Sequence, residues 1–343
     1  MSTAAQTYQG WQLSQRPNGE PTEQSFAWVT GERPTPQPGE LLLRTEYLSL
    51  DPYMRGRMDD SESYAPPVQL GDVMVGGTVS RVVHSTVEGF AEGDWVLSQG
   101  GWQNYSLAKP QEVVKLDQAM AHPSYALGIL GMPGFTAYMG LTDIGKPQPG
   151  ETLVAAAATG PVGATVGQLA KRFGCHVVGV AGGAEKCRHA VEVLGFDHCI
   201  DHHAQDFDQQ LASACPKGID IYFENVGGKV FEAVFPRLNP RARVPVCGAV
   251  SYYNHADLPD GPDKTPYILT QLIKKRILLQ GFIIFADYAD HYSDFLTTMT
   301  PWVENGEIHY REQVIEGLEQ APSALNKVLR GENFGKVVIK VQS

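Results

Sequence analysis

The sequence predicts an α/β protein: a β-rich domain first, then a doubly wound parallel-sheet domain, with the end of the chain returning to the first. Three observations carry this. At 343 residues the chain exceeds the roughly 250–300 residues at which a single core stops growing, so two domains are expected. Before residue 130 or so, strand-like runs are broken by Gly or Pro about every ten residues, the pattern of a compact antiparallel β domain. After it, runs nearly continuous in apolar residues alternate with helical segments, as in a parallel sheet covered on both faces.

In chain order, the first domain offers strands at 40–50, 76–83, 94–98 and 104–108, rich in Val, Leu and Tyr. An apolar strand at 151–158 precedes a helix at 163–173, whose Val166, Leu169, Ala170 and Phe173 share one face. The next strand spans 175–181, followed by a helix through 187–194 and a short strand at 198–201. Further strands are expected at 220–224, 243–248 and 277–285. Thr265 as N-cap and Pro266 at the first helical position start a helix running to Lys275. A helix at 321–330, stopped by Gly331, and a strand at 337–341 end the chain without further βα alternation. That tail is expected to rejoin the first domain, giving a division into 1–129 with 305–343, and 130–304. Neither internal repeats nor low-complexity segments interrupt the pattern.

Composition narrows the function classes. Hydrophobic residues make up 43% and charged residues 19%, a balance expected of a packed globular protein. The formal charge of -11, from 27 Lys and Arg against 38 Asp and Glu, argues against a general nucleic-acid binder or an anionic-membrane protein. The amino-terminal stretch, residues 1–7, lacks the basic and apolar regions of a secretory signal. Uninterrupted apolar runs stay short of the ~20 residues a membrane span needs. Cys175, Cys187, Cys199, Cys215 and Cys247 are odd in number and lack paired spacing, which suits free thiols in a reducing compartment. A cytoplasmic protein is expected.

The strongest chemical signal is the strand-to-helix turn Ala156-Ala157-Ala158-Thr159-Gly160-Pro161-Val162-Gly163, continued by Gly167. Glycines there permit a tight turn and close approach of backbone to a pyrophosphate, and Gly167 lets the helix lie near the sheet. The helix start supplies N–H groups and the positive end of its dipole. An ordinary Gly-rich βα turn without a ligand is the alternative. NAD enzymes commonly place an acid at the end of the second strand; here that strand ends in Ala181-Gly182-Gly183, followed by Lys186. Room for a 2′-phosphate and a nearby ammonium together favour NADPH, although Glu185 would serve NAD if it turned inward.

These residues resemble the zinc-independent medium-chain dehydrogenase/reductases, specifically the branch of prostaglandin reductases, alkenal double-bond reductases and bacterial curcumin reductases. The likeness spans almost the whole chain. It rests on Arg16-Pro17-Asn18-Gly19-Glu20-Pro21, Ser49-Leu50-Asp51-Pro52-Tyr53-Met54-Arg55, Gly131-Met132-Pro133-Gly134-Phe135-Thr136-Ala137-Tyr138 and the glycine turn. Tyr222-Phe223-Glu224-Asn225-Val226-Gly227-Gly228, Cys247-Gly248-Ala249-Val250-Ser251 and Asn333-Phe334-Gly335-Lys336 complete it. The resemblance implies a GroES-like catalytic domain, a Rossmann domain and a homodimer. It implies an NADPH site lined by Gly160, Pro161, Val162, Gly163, Lys186 and Asn225, by Cys247, Gly248, Ala249, Val250, Ser251 and Tyr253, and by Phe282, Ile283, Ile284 and Asn333. Where the family has Tyr after the third strand, this chain has His202, then His203. An imidazole there would flank the adenosine phosphate as a pH-sensitive donor.

The wider superfamily includes zinc alcohol dehydrogenases, which need Cys and His ligands. Before Cys175 this chain has no cysteine and only His84 and His122, so no metal site is expected. Reduction of a C=C bond conjugated to a carbonyl fits a reaction without metal: hydride reaches the β-carbon, negative charge moves to the carbonyl oxygen, and the α-carbon is protonated. The expected substrate is a small conjugated carbonyl compound. A donor is then needed where that charge develops; the resemblance implies that Tyr53 and Tyr253 face the substrate cleft and so are the candidates, with Tyr252 an adjacent competitor for the latter and a partly buried Tyr with a satisfied hydroxyl the alternative for each. Arg55 is expected to support its loop and Cys247 to pack. Two other readings stay open on the sequence: a quinone reductase of the same superfamily, and a non-catalytic nucleotide-binding protein.

Overall fold

The structure, a computed structural model, describes residues 7–257 and 261–341. Residues 1–6 of the stretch read for a secretory signal lie outside the described residues. The chain divides into two units. One comprises residues up to Gly128, the short stretch Tyr253–Ala256 and residues from Glu312; the other comprises Ile129–Tyr252 and Asp257–Arg311.

In chain order the first unit begins with β1 (Thr7–Leu13), β2 (Phe26–Glu32), β3 (Leu41–Ser49), α1 (Tyr53–Gly56), β4 (Thr78–Ser85), β5 (Trp95–Ser98), β6 (Tyr105–Ala108) and β7 (Val113–Lys115). The second runs through α2 (Met132–Met139), β8 (Thr152–Ala156), α3 (Pro161–Arg172), β9 (His176–Ala181), α4 (Ala184–Glu192), β10 (His198–Asp201), α5 (Phe207–Ala214) and β11 (Ile219–Phe223). It continues with α6 (Gly228–Val234), β12 (Leu238–Val246), α7 (Thr265–Lys275), β13 (Leu278–Gly281), α8 (Ile284–Asp287) and α9 (Tyr292–Glu304). The chain then returns to the first unit with β14 (Glu312–Glu316), α10 (Ala321–Leu329) and β15 (Lys336–Lys340).

The first unit is built on β14-β15-β3-β4-β5-β7, with β6 also pairing β3 and a separate β1-β2 ribbon. The expected return of the tail takes a definite form: β15 lies antiparallel to β3, Val338 opposite Ser49. Alternation along β3 puts Leu41 and Leu43 into a core with Val82 and Val96. Beyond β3, the short helix α1 carries the Asp-Pro-Tyr-Met-Arg segment.

The second unit is a six-stranded sheet ordered β10-β9-β8-β11-β12-β13, parallel throughout. In that order the first strand of the unit, β8, lies between β9 and β11, so successive crossovers depart to opposite sides and leave a crevice at the carboxyl ends of the central strands. The central strands are apolar because helices cover both faces: all five residues of β8 are buried, with Val154, Val178, Val180, Tyr222 and Val244 in one cluster.

Two local expectations are corrected. The helix at Thr265 has Lys264 at its N-cap, with Thr265 already helical and held by Asp263 Oδ1, which accepts its backbone N–H at 2.8 Å. This is a local bond from the acid two residues earlier, and no side chain caps α7. The run 277–285 is not one strand: β13 ends at Gly281 and α8 starts at Ile284, where Asp287 Oδ2 accepts the Ile283 N–H at 2.7 Å. Apolar residues continue through the break because Phe282 and Ile284 are both buried, so composition alone hides it.

Candidate functional site

The site in the second unit is assembled from the carboxyl ends of its parallel strands. β8 runs into Ala157, which takes the left-handed conformation at φ 51°, and Gly160 N–H closes the turn on Ala157 O at 2.8 Å. No side chain caps α3, which opens at Pro161 behind Gly160. A Cβ on Gly163 would stand 2.3 Å from Ala157 O, so this glycine is what lets the helix start sit against the strand end. Gly167 acts differently from expectation: its Cβ would meet the Phe196 ring at 1.9 Å, so its smallness seats an aromatic side chain rather than the sheet backbone.

β9 ends in Ala181 and is followed by Gly182 and Gly183, the latter at φ 90° before α4. A Cβ on Gly182 would lie 3.2 Å from Nε2 of both His202 and His203, whose ring centroids are 4.0 Å apart. Thus the imidazoles, which follow β10, border the glycine pair after β9. Lys186, in the first turn of α4, and Lys229, at the start of α6, both act on His202. With His203 they oppose protonation of its ring, and burial, the largest influence, lowers it further. Lys229 Nζ also donates to His202 O at 2.9 Å. The sequence reading missed Lys229. Its signal was its place directly after Gly227-Gly228, but only the packing of α6 on α5, with Lys229 Nζ 5.5 Å over the Phe207 ring, brings it to the end of β10.

Asn225, just past β11, ties three strand ends together. Its Nδ2 donates to Ala156 O at 2.8 Å, and its Oδ1 accepts from the Cys247 thiol at 2.6 Å. Burial, then the nearby Glu224 carboxylate, pushes the Cys247 thiol up, so it acts here as a donor and packing group. The 247–251 turn is laced to this one: Cys247 N–H donates to Glu224 O, Val250 N–H to Asn225 O and Ser251 N–H to Val226 O, while Ser251 Oγ donates to Val226 O. Tyr252 OH accepts from Gly228 N–H at 2.9 Å. Gly248 and Ala249 lie half-buried between these contacts.

Glu224, given no role from sequence, anchors the arrangement. Only 2% exposed, its carboxylate accepts from Tyr222 OH at 2.8 Å, Val226 N–H at 2.5 Å and Gly227 N–H at 2.8 Å. Burial raises its pKa despite these donors. Beyond β13, Phe282 and Ile284 are buried and Ile283 is exposed; a Cβ on Gly140 would touch the Phe282 ring at 2.7 Å, fixing that side of the turn.

The remaining candidates belong to the first unit. Tyr53 opens α1 behind Asp51-Pro52 and is half-buried. Burial and then the Asp51 carboxylate raise its phenol, so the hydroxyl stays protonated. Arg55 does support its loop: 2% exposed, it pairs with Asp59 at 2.6 Å and donates Nε–H to Gly19 O at 3.1 Å. Tyr253 falls in the short stretch assigned to this unit, whereas Tyr252 falls in the other. Asn333 Nδ2 donates to Gly335 O at 2.8 Å, shaping the loop into β15. Among the described residues, no group of three or more His, Cys, Asp or Glu side chains is placed to hold a metal ion.

Comparison with known proteins places this architecture. Residues 9–116 match a family described as the N-terminal domain of oxidoreductase, and residues 161–303 one described as zinc-binding dehydrogenase. An Escherichia coli protein named NADPH-dependent curcumin reductase is 60% identical over 341 residues, 99% of each chain. The chain belongs to the medium-chain dehydrogenase/reductase family. Within this family, the tobacco 2-alkenal reductase (NADP(+)-dependent) is 41% identical over 305 residues, covering 88% of this chain and 87% of the relative. The crystal structure of CurA in complex with NADPH from Vibrio vulnificus superposes with a TM-score of 0.95 at 55% identity, covering 98% of this chain and 99% of that one. The two units of the present chain are therefore the family's β-rich domain and its Rossmann domain.

Proposed function

We propose that this protein uses NADPH to reduce the carbon–carbon double bond of α,β-unsaturated aldehydes or ketones, with no metal. The observation that carries the cofactor assignment is the gathering of 156–163, 181–186, 202, 224–228, 247–251 and 282–284 at the carboxyl ends of successive parallel strands, where dinucleotides bind. The curcumin and alkenal reductases to which the chain is similar carry the reaction class.

The residues present fit the cofactor. The Gly160–Gly163 turn is a cradle that side chains would fill, ahead of a helix start without a side-chain cap. Its N–H groups bind the pyrophosphate. Gly182 and Gly183 leave space for the 2′-phosphate, with Lys186, Lys229 and His202 to hold it. Asn225 and Cys247 brace the floor, and Tyr253 and Asn333 are further candidates for cofactor contact. Bound NADPH supplies the hydride.

As charge moves from the β-carbon onto the carbonyl oxygen, Tyr53 donates its hydroxyl proton in a hydrogen bond to that oxygen. Its raised pKa keeps it a neutral donor throughout the neutral range, so it stabilises the developing charge without surrendering the proton. Tyr253 assists in orienting the carbonyl as the α-carbon is protonated. The first unit thus serves as catalytic domain and the second as cofactor domain.

We also assign a cytoplasmic homodimer. No helix among the described residues is long and apolar enough to cross a membrane, and the five cysteines are unpaired. The edge strand β13 is exposed along its length, Leu278 and Leu279 included, beside exposed Tyr267, Leu269 and Ile273 of α7. Such an apolar edge invites pairing with a second chain. Equilibrium sedimentation tests the dimer; a monomer at micromolar concentration would remove it.

The deciding experiment is NADPH oxidation with a panel of linear enones, alkenals and simple quinones, repeated with NADH. Turnover of enones with formation of the saturated carbonyl is expected. Quinone turnover without any enone turnover would overturn the assignment.

A further inference from the structure

Glu224 is a buried titratable group to which the reaction above gives no part. It follows β11 directly at 2% exposure, and its two oxygens divide their work. Oε1 accepts the backbone N–H of Val226 at 2.5 Å and that of Gly227 at 2.8 Å. Oε2 accepts from Tyr222 OH at 2.8 Å. Successive N–H groups converging on one oxygen form an anion nest, and here the chain fills the nest with its own carboxylate. The next two peptide units turn sharply, with Gly227 at φ 76° and Gly228 at φ 52°.

This turn presents a cofactor-facing residue at each end. At one end Asn225 spans two strand ends: its Nδ2 donates to Ala156 O at 2.8 Å, and its Oδ1 accepts from the Cys247 thiol at 2.6 Å. At the other end Lys229, in the first turn of α6, donates to His202 O at 2.9 Å. The backbone bonds to Glu224 Oε1 lie between them.

We propose that Glu224 is a positioning residue for the dinucleotide. Its Oε1, as an acceptor rather than as a charge, holds the 225–228 turn so that Asn225 braces the part common to NADPH and NADH and Lys229 meets the 2′-phosphate. This role rests on the NADPH reading above. Without the acceptor, two buried N–H groups are left unpaired, an arrangement the chain relieves by moving them towards water. That movement draws Asn225 away from Ala156 and Cys247 and carries Lys229 with it. An amide can substitute for the carboxylate. In Glu224→Gln the amide oxygen takes the Oε1 position and keeps both N–H groups, while the NH2 donates to Tyr222 OH. The Tyr222 bond on Oε2 supports folding and leaves the turn alone.

Dissociation constants of the full chain for NADPH and NADH, followed by fluorescence, test this together with the rate at which iodoacetamide alkylates Cys247, mapped by peptide mass spectrometry. Glu224→Met should bind both dinucleotides about tenfold more weakly and alkylate Cys247 severalfold faster, since Asn225 no longer holds the thiol. Glu224→Gln should stay near wild type in all three measurements. Tyr222→Phe strands Oε2 but leaves Oε1 its two donors, so its Tm should fall while both affinities hold. Should Glu224→Met fail to fold, Glu224→Ala, which leaves room for a water to meet the two N–H groups, is read in its place with the same expectation. Wild-type affinities in a folded variant without the acceptor would overturn the proposal. So would a loss confined to NADPH, or a Glu224→Gln protein as weak as Glu224→Met. Failure of the wild type to bind either dinucleotide would instead overturn the cofactor reading, and this role with it.

Discussion

Lys336 Nζ lies 2.6 Å from Asp51 Oδ1 and 2.7 Å from Leu50 O, with both charged side chains almost wholly inside the first unit. Ser49 Oγ donates to the other oxygen of the same carboxylate. The pair joins β15 at the end of the chain to the segment that presents Tyr53 two residues later. Removing one partner of such a pair strands a buried charge, which costs roughly 3–5 kcal/mol, more than the net worth of the pair itself. Lys336→Met should lower unfolding stability by about that amount in urea titrations. Adding Asp51→Leu should recover much of it. A double variant as unstable as the sum of the two singles would show that the charges do not act together.

The same pair bears on catalysis through Tyr53. Tyr53→Phe keeps the ring and removes only the hydroxyl proposed to meet the carbonyl oxygen. Loss of one donor to a developing oxyanion costs about 10²–10³-fold in turnover, so kcat should fall at least tenfold while NADPH binding, followed by fluorescence, stays near wild type. Unchanged kcat would assign the hydroxyl a packing role.

Lys186→Ala and Lys229→Ala should each raise the KM for NADPH by about tenfold, given the ~1.5–3 kcal/mol of a charge-assisted hydrogen bond, and leave the KM for NADH within about twofold. The pairing of cofactors is the control, since NADH lacks only the 2′-phosphate. Equal effects on both cofactors would mean the lysines support the fold around α4 and α6 instead.

Much of this was legible in the sequence, for identifiable reasons. The strands of the second unit are buried on both faces, so their apolar runs and the βα rhythm survive as pattern; β10 falls at 198–201 as read. The amino-terminal ribbon β1-β2 was not read, because Thr7–Leu13 mixes Gln and Gly with aromatics and five of its seven residues are not buried. At the site, glycines announce themselves by backbone demands, whereas Glu224 and Lys229 do not. A buried carboxylate serving backbone N–H groups looks, as sequence, like any surface acid. Lys229 matters only because α6 packs on α5 and carries it to His202, information that local pattern does not contain.

His202 provides a pH-dependent readout. Burial and then the neighbouring His203 hold its pKa below the ordinary 6.5, so the folded ring takes up a proton at lower pH than the unfolded one. Its contribution to stability is therefore lost as pH falls from the unfolded value towards the folded one. A bound 2′-phosphate favours the imidazolium and raises that pKa, so NADPH binding takes up a proton. The ratio of NADH to NADPH dissociation constants should accordingly grow as pH falls below ~6.5, beyond any change due to protonation of the phosphate itself. In His202→Phe that extra component should vanish, because the ring remains and only the titration is lost. An identical pH dependence in wild type and His202→Phe would remove His202 from the phosphate site.

Gly163→Ala tests the cradle most directly. The added methyl would stand 2.3 Å from Ala157 O and 2.8 Å from Ala156 O; both are backbone atoms, so no side chain can swing aside. Either α3 moves away from the strand end, or the turn at Ala157, already at positive φ, rearranges. Overpacking of this kind costs roughly 1–3 kcal/mol, which a two-domain protein of this size can absorb and still fold. Binding is more sensitive, because displacement of the helix start moves the N–H groups away from the pyrophosphate. The variant should remain folded by circular dichroism with a Tm lowered by a few degrees, yet bind NADPH and NADH at least tenfold more weakly. Both cofactors should suffer alike, in contrast to the lysine variants, since the pyrophosphate is common to them. Wild-type affinity for both in a folded Gly163→Ala protein would show that the dinucleotide does not rest on this turn.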